Sequence, residues 1–215
     1  MTTRRPRIAS SGVATGRGDD GTTGLLFGGP RVAKDDPATE AYGTIDEAVA
    51  ALGVARAELL AAADAAADAP HVLGELAMLV LRLQRELFVV GAELATTPAA
   101  RGRLTDGTTR VSEAMLAALE TTLAAYEAGI QMPREFVVPG ETRASAALEV
   151  ARTVVRRAER RIVSFQREGG LHGEWLLPYV NRLADLLWVL ARVAEQAASR
   201  PAVPARPAHR RSRSR

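Results

Sequence analysis

The chain has 215 residues, of which 47% are apolar and 4% aromatic, and its net charge is +3. This length and apolar content can form one well-buried core or two small ones. The sequence contains no cysteine, which excludes disulfides, thiolate metal sites and a cysteine nucleophile. No apolar run is long enough to cross a membrane, and no apolar segment follows the N-terminal arginines, so we expect neither a membrane span nor a secretory signal. A cytoplasmic protein is the simplest expectation.

The first half of the chain is expected to begin with a flexible segment, residues 1–14, followed by a glycine-rich segment from Gly16 to Gly29. The sequence Thr44-Ile45-Asp46-Glu47 has the pattern of a capping box and predicts a first helix from Thr44 to about Ala67. Apolar residues at helical spacing predict a second helix over about 71–95. Residues 96–110 have the composition of a loop.

The second half is expected to contain three more helices, over about 111–128, 142–167 and 175–198, with a short extended segment at 136–138. Five helices with short connections predict an all-α, antiparallel five-helix bundle over residues 15–199. The tail, residues 200–215, is rich in arginine and proline, which predicts disorder. Attraction of this tail to nucleic acid is the less favoured interpretation.

The glycine-rich segment Thr15–Gly24 has the residue types of a phosphate site. Glycines allow backbone N–H groups to converge on an anion, and Arg17, Thr22 and Thr23 add donors. The segment is not a Walker A loop, because no Gly-Lys-Ser/Thr follows its glycines. A flexible linker remains the alternative from these residues alone.

The fourth helix carries Arg152, Arg156, Glu159 and Arg160 on one stripe, because they follow a spacing of i, i+4, i+7 and i+8. Arginine matches phosphate oxygens in geometry and charge, so this stripe suits a polyphosphate. An exposed helix face with internal ion pairs explains the same spacing equally well. On the fifth helix, Asn181 can contact an adenine or cap a helix, and a buried Asp185 would need a cation from the fourth helix.

Together these segments resemble the PduO-type ATP:cob(I)alamin adenosyltransferases over about residues 15–195. The resemblance is carried by Gly18-Asp19-Asp20-Gly21-Thr22-Thr23, by Lys34-Asp35-Asp36 and by the segments 40–47, 136–140, 151–161 and 179–185. It implies a homotrimer that transfers the 5′-deoxyadenosyl group of ATP to the cobalt of cob(I)alamin, giving adenosylcobalamin and triphosphate. A cob(II)alamin reductase and a B12-dependent mutase are the partners implied, with no membrane or nucleic acid.

The resemblance also implies the site residues. Phe136 would crowd the lower face of the corrin, and Arg152 would pair with Asp46 of a neighbouring subunit beside the cobalamin. Arg156 and Lys34 would stabilise the leaving triphosphate together with Mg²⁺, which is held by the phosphates with no protein ligand assigned. The ATP site would comprise Thr15, Gly16, Arg17, Gly18, Thr22, Thr23, Lys34, Arg156, Arg157, Glu159, Arg160 and Asn181.

Two positions depart from the family pattern. The segment Thr15-Gly16-Arg17-Gly18-Asp19 replaces Thr-Lys/Arg-Thr-Gly-Asp, which moves the cation by one residue, and Glu141 replaces the second glycine after Pro139. A non-catalytic carrier that binds ATP and cobalamin and delivers cofactor is the main alternative. A di-iron bundle is disfavoured because His71, His172 and His209 lie in no Glu-x-x-His motif. For an RNA-binding protein, deletion from Arg200 onward would abolish function, whereas an enzyme would be spared.

Overall fold

The computed structural model describes residues 11, 13–65, 71–170 and 172–206. Within them lie the helices α1 (Pro37–Ala65), α2 (Val72–Leu94), α3 (Glu113–Ala128), α4 (Arg143–Arg167) and α5 (Leu176–Ala197). The segment predicted as loop also contains a 3₁₀ helix, Pro98–Arg103. The short strands are β1 (Thr22–Thr23), β2 (Val32–Ala33), β3 (Val137–Val138) and β4 (Val203–Pro204). The all-α prediction is therefore confirmed, and none of the described helices is long and apolar enough to cross a membrane.

Helix α1 begins at Pro37, so the predicted start at Thr44 is wrong. The Asp36 carboxylate accepts the N–H of Ala38 at 2.8 Å and caps the helix. Pro37 occupies the first helical position. Proline is tolerated there because a backbone N–H at this position would have no partner within the helix. Thr44 lies inside the helix, and its hydroxyl donates to the carbonyl of Glu40 at 2.7 Å instead of forming a cap. The predicted end near Ala67 falls outside the described residues.

The core lies between α1, α2, α4 and α5, with α3 packed on α5. The predicted core face of α4 is confirmed, since all its members are buried: Leu148, Ala151, Val155, Ala158 and Ile162. The apolar stripe of α5 is also buried, at Leu183, Leu186, Leu187 and Leu190. Helix α4 starts after a capping box, in which Thr142 and Ser145 exchange side-chain to backbone hydrogen bonds of 2.9 and 3.2 Å.

Residues 200–206 of the tail predicted to be disordered lie within the described structure and include strand β4. Strand β4 pairs antiparallel with β3, with Val137 opposite Pro204 and Val138 opposite Val203. Proline fixes its own φ and biases the preceding residue toward extended backbone, so the composition that predicted disorder is also compatible with a short edge strand. Residues 207–215 lie outside the described structure, as do residues 1–10 and 12 of the segment expected to be flexible.

Candidate functional site

An open cleft of about 820 Å³ lies between the segment that precedes α4 and the faces of α4 and α5. Phe136 lines it with 90% of its side chain exposed, and Trp188 of α5 lines it from the helical side. Arg152 and Glu149 reach the cleft from α4, and Ala205 and Arg206 border it after β4. The cleft therefore combines aromatic surface with charged groups, and it includes two of the predicted cobalamin-site residues, Phe136 and Arg152.

The predicted stripe on α4 leads away from this cleft. Arg156 and Arg160 follow Arg152 by one and two turns, at about 6 Å per step, and both are exposed. The guanidinium of Arg160 donates to the carbonyl of Arg156 at 3.0 Å. The stripe thus offers arginine donors to a ligand that extends out of the cleft.

Asn181 and Glu159 meet where α5 packs on α4. The Asn181 amide nitrogen donates to Glu159 Oε1 at 2.8 Å, and its oxygen accepts from Arg182 Nη1 at 2.7 Å. Both ends of the amide are therefore fixed. Asp185 is exposed and lies 3.8 Å from Arg182 of its own helix, so it does not need the cation from α4 that a buried carboxylate would require.

Two predicted site residues make other ion pairs within the chain. Arg157 pairs with Glu47 of α1, which draws it toward that helix. Arg152 pairs with Glu149 at 2.6 Å, while Asp46 is exposed on α1. The Asp46–Arg152 pair was expected between subunits, so it stays a prediction.

The glycine-rich segment forms a turn closed by the β1–β2 hairpin, in which Thr22 faces Ala33 and Thr23 faces Val32. Gly21 has a φ of 80°, which favours glycine, and its carbonyl accepts the N–H of Lys34 at 2.9 Å. The Lys34 side chain lies against Gly18, where an added Cβ would come within 3.0 Å of Nζ. A side chain at position 18 would therefore crowd the Lys34 ammonium and the Thr22 carbonyl, and the two predicted phosphate contacts, Gly18 and Lys34, lie together.

Arg31 stabilises this turn and was missed by the sequence analysis. Its guanidinium donates to the hydroxyl of Thr22 at 2.7 Å, to the carbonyl of Thr22 at 2.8 Å and to the carbonyl of Arg17 at 2.7 Å. Hydrogen bonds from the hydroxyl and N–H of Thr22 lower the pKa of Asp20, which keeps that carboxylate ionised as their acceptor. The available signal was the Gly28-Gly29-Pro30 segment, which turns the chain back so that Arg31 precedes β2 and its side chain can reach Thr22 of β1.

A buried ion network behind the cleft was also missed. Arg192 forms two hydrogen bonds to Glu195, of 2.7 and 2.8 Å, and its Nη1 lies 3.2 Å from Glu149 Oε1 without hydrogen-bond alignment. The other oxygen of Glu149 holds Arg152. Charges of alternating sign therefore connect the core of α5 to the cleft, and the signal for them was an arginine and a glutamate within an apolar helix stripe.

The hairpin and the cleft lie at different levels of α4. Leu25, Pro30 and Val32 share a pocket with Phe165 near the end of α4, whereas Arg152 lines the cleft. These two α4 residues are about 20 Å apart along the helix axis. Within one chain, the predicted phosphate turn is thus remote from Phe136.

Comparison with known proteins gives concordant matches. The family described as cobalamin adenosyltransferase matches residues 13–194. A corrinoid adenosyltransferase of Citrobacter freundii is 40% identical over 183 residues, which cover 85% of this chain and 94% of that protein. A corrinoid adenosyltransferase of Bacillus subtilis is 36% identical over 179 residues, covering 83% and 84%. A solved variant of a PduO-type ATP:corrinoid adenosyltransferase from Lactobacillus reuteri, complexed with cobalamin and ATP, has a TM-score of 0.77 at 29% identity and covers 90% of this chain and 96% of that chain.

Proposed function

This chain belongs to the cobalamin adenosyltransferase family, and we propose that its Phe136 cleft binds the corrinoid while the α4 stripe binds the triphosphate of ATP. The chain is an ATP-dependent corrinoid adenosyltransferase, which moves the 5′-deoxyadenosyl group of ATP to the cobalt of a reduced corrinoid. The observation that carries the assignment of the site is the position of Arg152, which lies in the cleft and begins the arginine stripe.

The reaction is a substitution at C5′ of ATP. The cobalt–carbon bond forms with the electron pair of cob(I), and the C5′–O bond breaks so that triphosphate leaves with its pair. Cob(I) is already a strong nucleophile, so the main tasks of the protein are alignment, which contributes up to roughly 7–11 kcal/mol, and stabilisation of the leaving group. Arg156, Arg160 and Lys34 supply positive charge where triphosphate develops negative charge.

Phe136 assists the reduction of cob(II) to cob(I), which precedes the transfer of the adenosyl group. A base-on cob(II) corrinoid is difficult to reduce, and removing the axial base raises its reduction potential. The phenyl ring stands in the cleft as an apolar surface that offers the base no hydrogen bond. It therefore favours the base-off state by occupying the space below the cobalt.

Mg²⁺ accompanies the triphosphate in this proposal. Magnesium prefers oxygen ligands and keeps several waters, so phosphate oxygens and water complete its coordination. The described residues contain no cluster of three His, Cys, Asp or Glu side chains that could hold a metal. The ion would add to the charge of Arg156 and Lys34 at the leaving group.

The complete site is proposed to form in a homotrimer. Because the β1–β2 hairpin packs near Phe165, about 20 Å along α4 from Arg152 of the cleft, the turn of a neighbouring subunit would complete the cleft. Asp46 is exposed on α1 and is thus available to pair with Arg152 of a neighbour. We place the enzyme in the cytoplasm, with a cob(II)alamin reductase supplying its substrate and a B12-dependent mutase using its product.

An anaerobic assay tests the proposal, with purified protein, ATP, Mg²⁺ and chemically reduced cobalamin. The absorbance of cob(I)alamin should convert to that of adenosylcobalamin only with ATP present. Arg156→Ala should lose roughly 100-fold in turnover, as expected when a donor aimed at developing charge is removed. Arg167→Ala, an exposed arginine at the end of the same helix, is the matched control and should retain wild-type turnover. ATP binding with no conversion by the wild-type protein would instead establish the non-catalytic carrier.

A further inference from the structure

The position of the Phe136 ring depends mainly on its backbone. Its side chain is 90% exposed, so packing against neighbours does little to hold the ring. An exposed side chain takes its position from its backbone, and this backbone belongs to the connection between α3 and α4. The contacts that hold this connection therefore determine the position of the ring.

The C-terminal segment supplies these contacts. The N–H of Ala205 donates to the carbonyl of Phe136 itself at 2.7 Å. The two residues that follow Phe136 form β3, and their strand partners are Val203 and Pro204 of β4. Backbone groups in a connection need partners as much as those in a helix, and here the partners lie more than 60 residues further along the chain.

The end of α5 directs the tail to this place. Ser199 has a φ of 53°, and the N–H groups of Ser199 and Arg200 donate to the carbonyls of Gln196 and Glu195, both at 2.9 Å. This pattern is a Schellman motif, which reverses the chain after a helix. The side chain of Glu195 is fixed by the buried pair with Arg192, so the turn starts from a rigid point of the core.

We propose that β4 is a positioning element of the corrinoid site, which holds β3 so that the Phe136 ring stands below the corrin. The inference rests on the proposed function. It assigns a role in the reaction to residues 201–206, outside the segment matched by the family, which ends at residue 194. It also limits the expectation that deletion from Arg200 onward spares the enzyme, because turnover that starts from cob(II)alamin would then be lost.

Two truncated chains, one with β4 and one without it, test the inference when their activities are compared. The chain ending at Arg206 keeps β4 and should match the full chain. The chain ending at Ser199 lacks β4 and should keep its unfolding temperature, its ATP affinity and its conversion of prereduced cob(I)alamin. With cob(II)alamin and ATP, however, it should lose the base-off absorption spectrum. When a reduced flavin is added as the one-electron donor, reductive turnover should fall by roughly 100-fold, the scale expected for a misplacement of about 1 Å.

A point variant tests the same contact at full length. Ala205→Pro removes the N–H that bonds to Phe136, whereas Ala205→Ser keeps it and is the control. Only Ala205→Pro should reduce the base-off fraction of cob(II)alamin. If the chain ending at Ser199 and Ala205→Pro both give the wild-type spectrum and reductive turnover, β4 has no positioning role. If the full chain itself fails to convert cob(I)alamin, the proposed function fails and the inference fails with it.

Discussion

Phe136 forgoes about 1.5–3 kcal/mol by standing in solvent instead of a core, which is expected where a ligand later covers the ring. Phe136→Ala should therefore change the free energy of unfolding by no more than about 0.5 kcal/mol. Turnover from cob(II)alamin should fall at least about tenfold, while the ATP affinity should stay at its wild-type value. Steady-state kinetics with ATP and cobalamin varied separately measure both quantities.

Phe136→Leu keeps apolar bulk in the cleft and should recover part of the lost turnover. Partial recovery in this conservative variant would show that Phe136 acts by its apolar bulk below the corrin and not through a general structural role. Equal losses of turnover and ATP affinity in Phe136→Ala would contradict the assignment.

At the scale of the elements, the buried network makes a prediction about stability. Arg192 is 2% exposed, forms hydrogen bonds with Glu195 of its own helix and makes an ion pair with Glu149 of α4. Arg192→Met would leave the buried Glu195 carboxylate without its cation and Glu149 with Arg152 alone, and breaking a buried pair in this way typically costs about 3–5 kcal/mol. The urea midpoint at fixed protein concentration should therefore fall strongly.

The matched control is Arg182→Met, because Arg182 lies on the same helix but pairs at the surface. That change should cost about 1 kcal/mol or less. Adding Glu195→Gln to Arg192→Met should restore part of the midpoint by removing one uncompensated charge. An Arg192→Met protein as stable as Arg182→Met would show that the network contributes little.

The elements also show what the sequence could and could not predict. Helices α4 and α5 follow from apolar residues at helical spacing, because that pattern is local and both buried stripes were predicted from it. The start of α1 was mistaken because Asp36-Pro37 and Thr44-x-x-Glu47 are both local start signals. Burial of Ala38 and Ala41 against the rest of the bundle favours the earlier one.

The missed features of the site depend on residues distant in sequence. A proline-rich tail and a two-residue valine segment each have weak strand signals, and they define β4 and β3 only when paired. An arginine at position 192 looks the same in sequence whether it lies on the surface or bonds a buried glutamate on another helix. Lys34 and Gly18, by contrast, were predicted together from one resemblance and do lie together.

For the whole molecule, the proposed trimer and the separation of the hairpin from the cleft, about 20 Å along α4 between Phe165 and Arg152, predict that each site uses Lys34 of one subunit and Arg156 of another. Lys34→Ala and Arg156→Ala should each be nearly inactive alone. The two inactive proteins are denatured together in equal amounts and refolded as mixed trimers. Each site lies between two subunits of the closed trimer, and each of these is either variant with equal probability. About one quarter of the sites should therefore receive both native residues. Activity should reappear at about that fraction of the wild-type rate.

The matched control mixes Arg156→Ala with Arg160→Ala. Both residues lie on α4 of the same chain, so every site in a mixed trimer still lacks one of them and no activity should return. Size-exclusion chromatography with light scattering on the same samples establishes whether trimers have formed. Trimers of Lys34→Ala and Arg156→Ala that stay inactive would mean that one chain supplies both residues, and the turn would then have to move along α4 to meet the cleft of its own subunit.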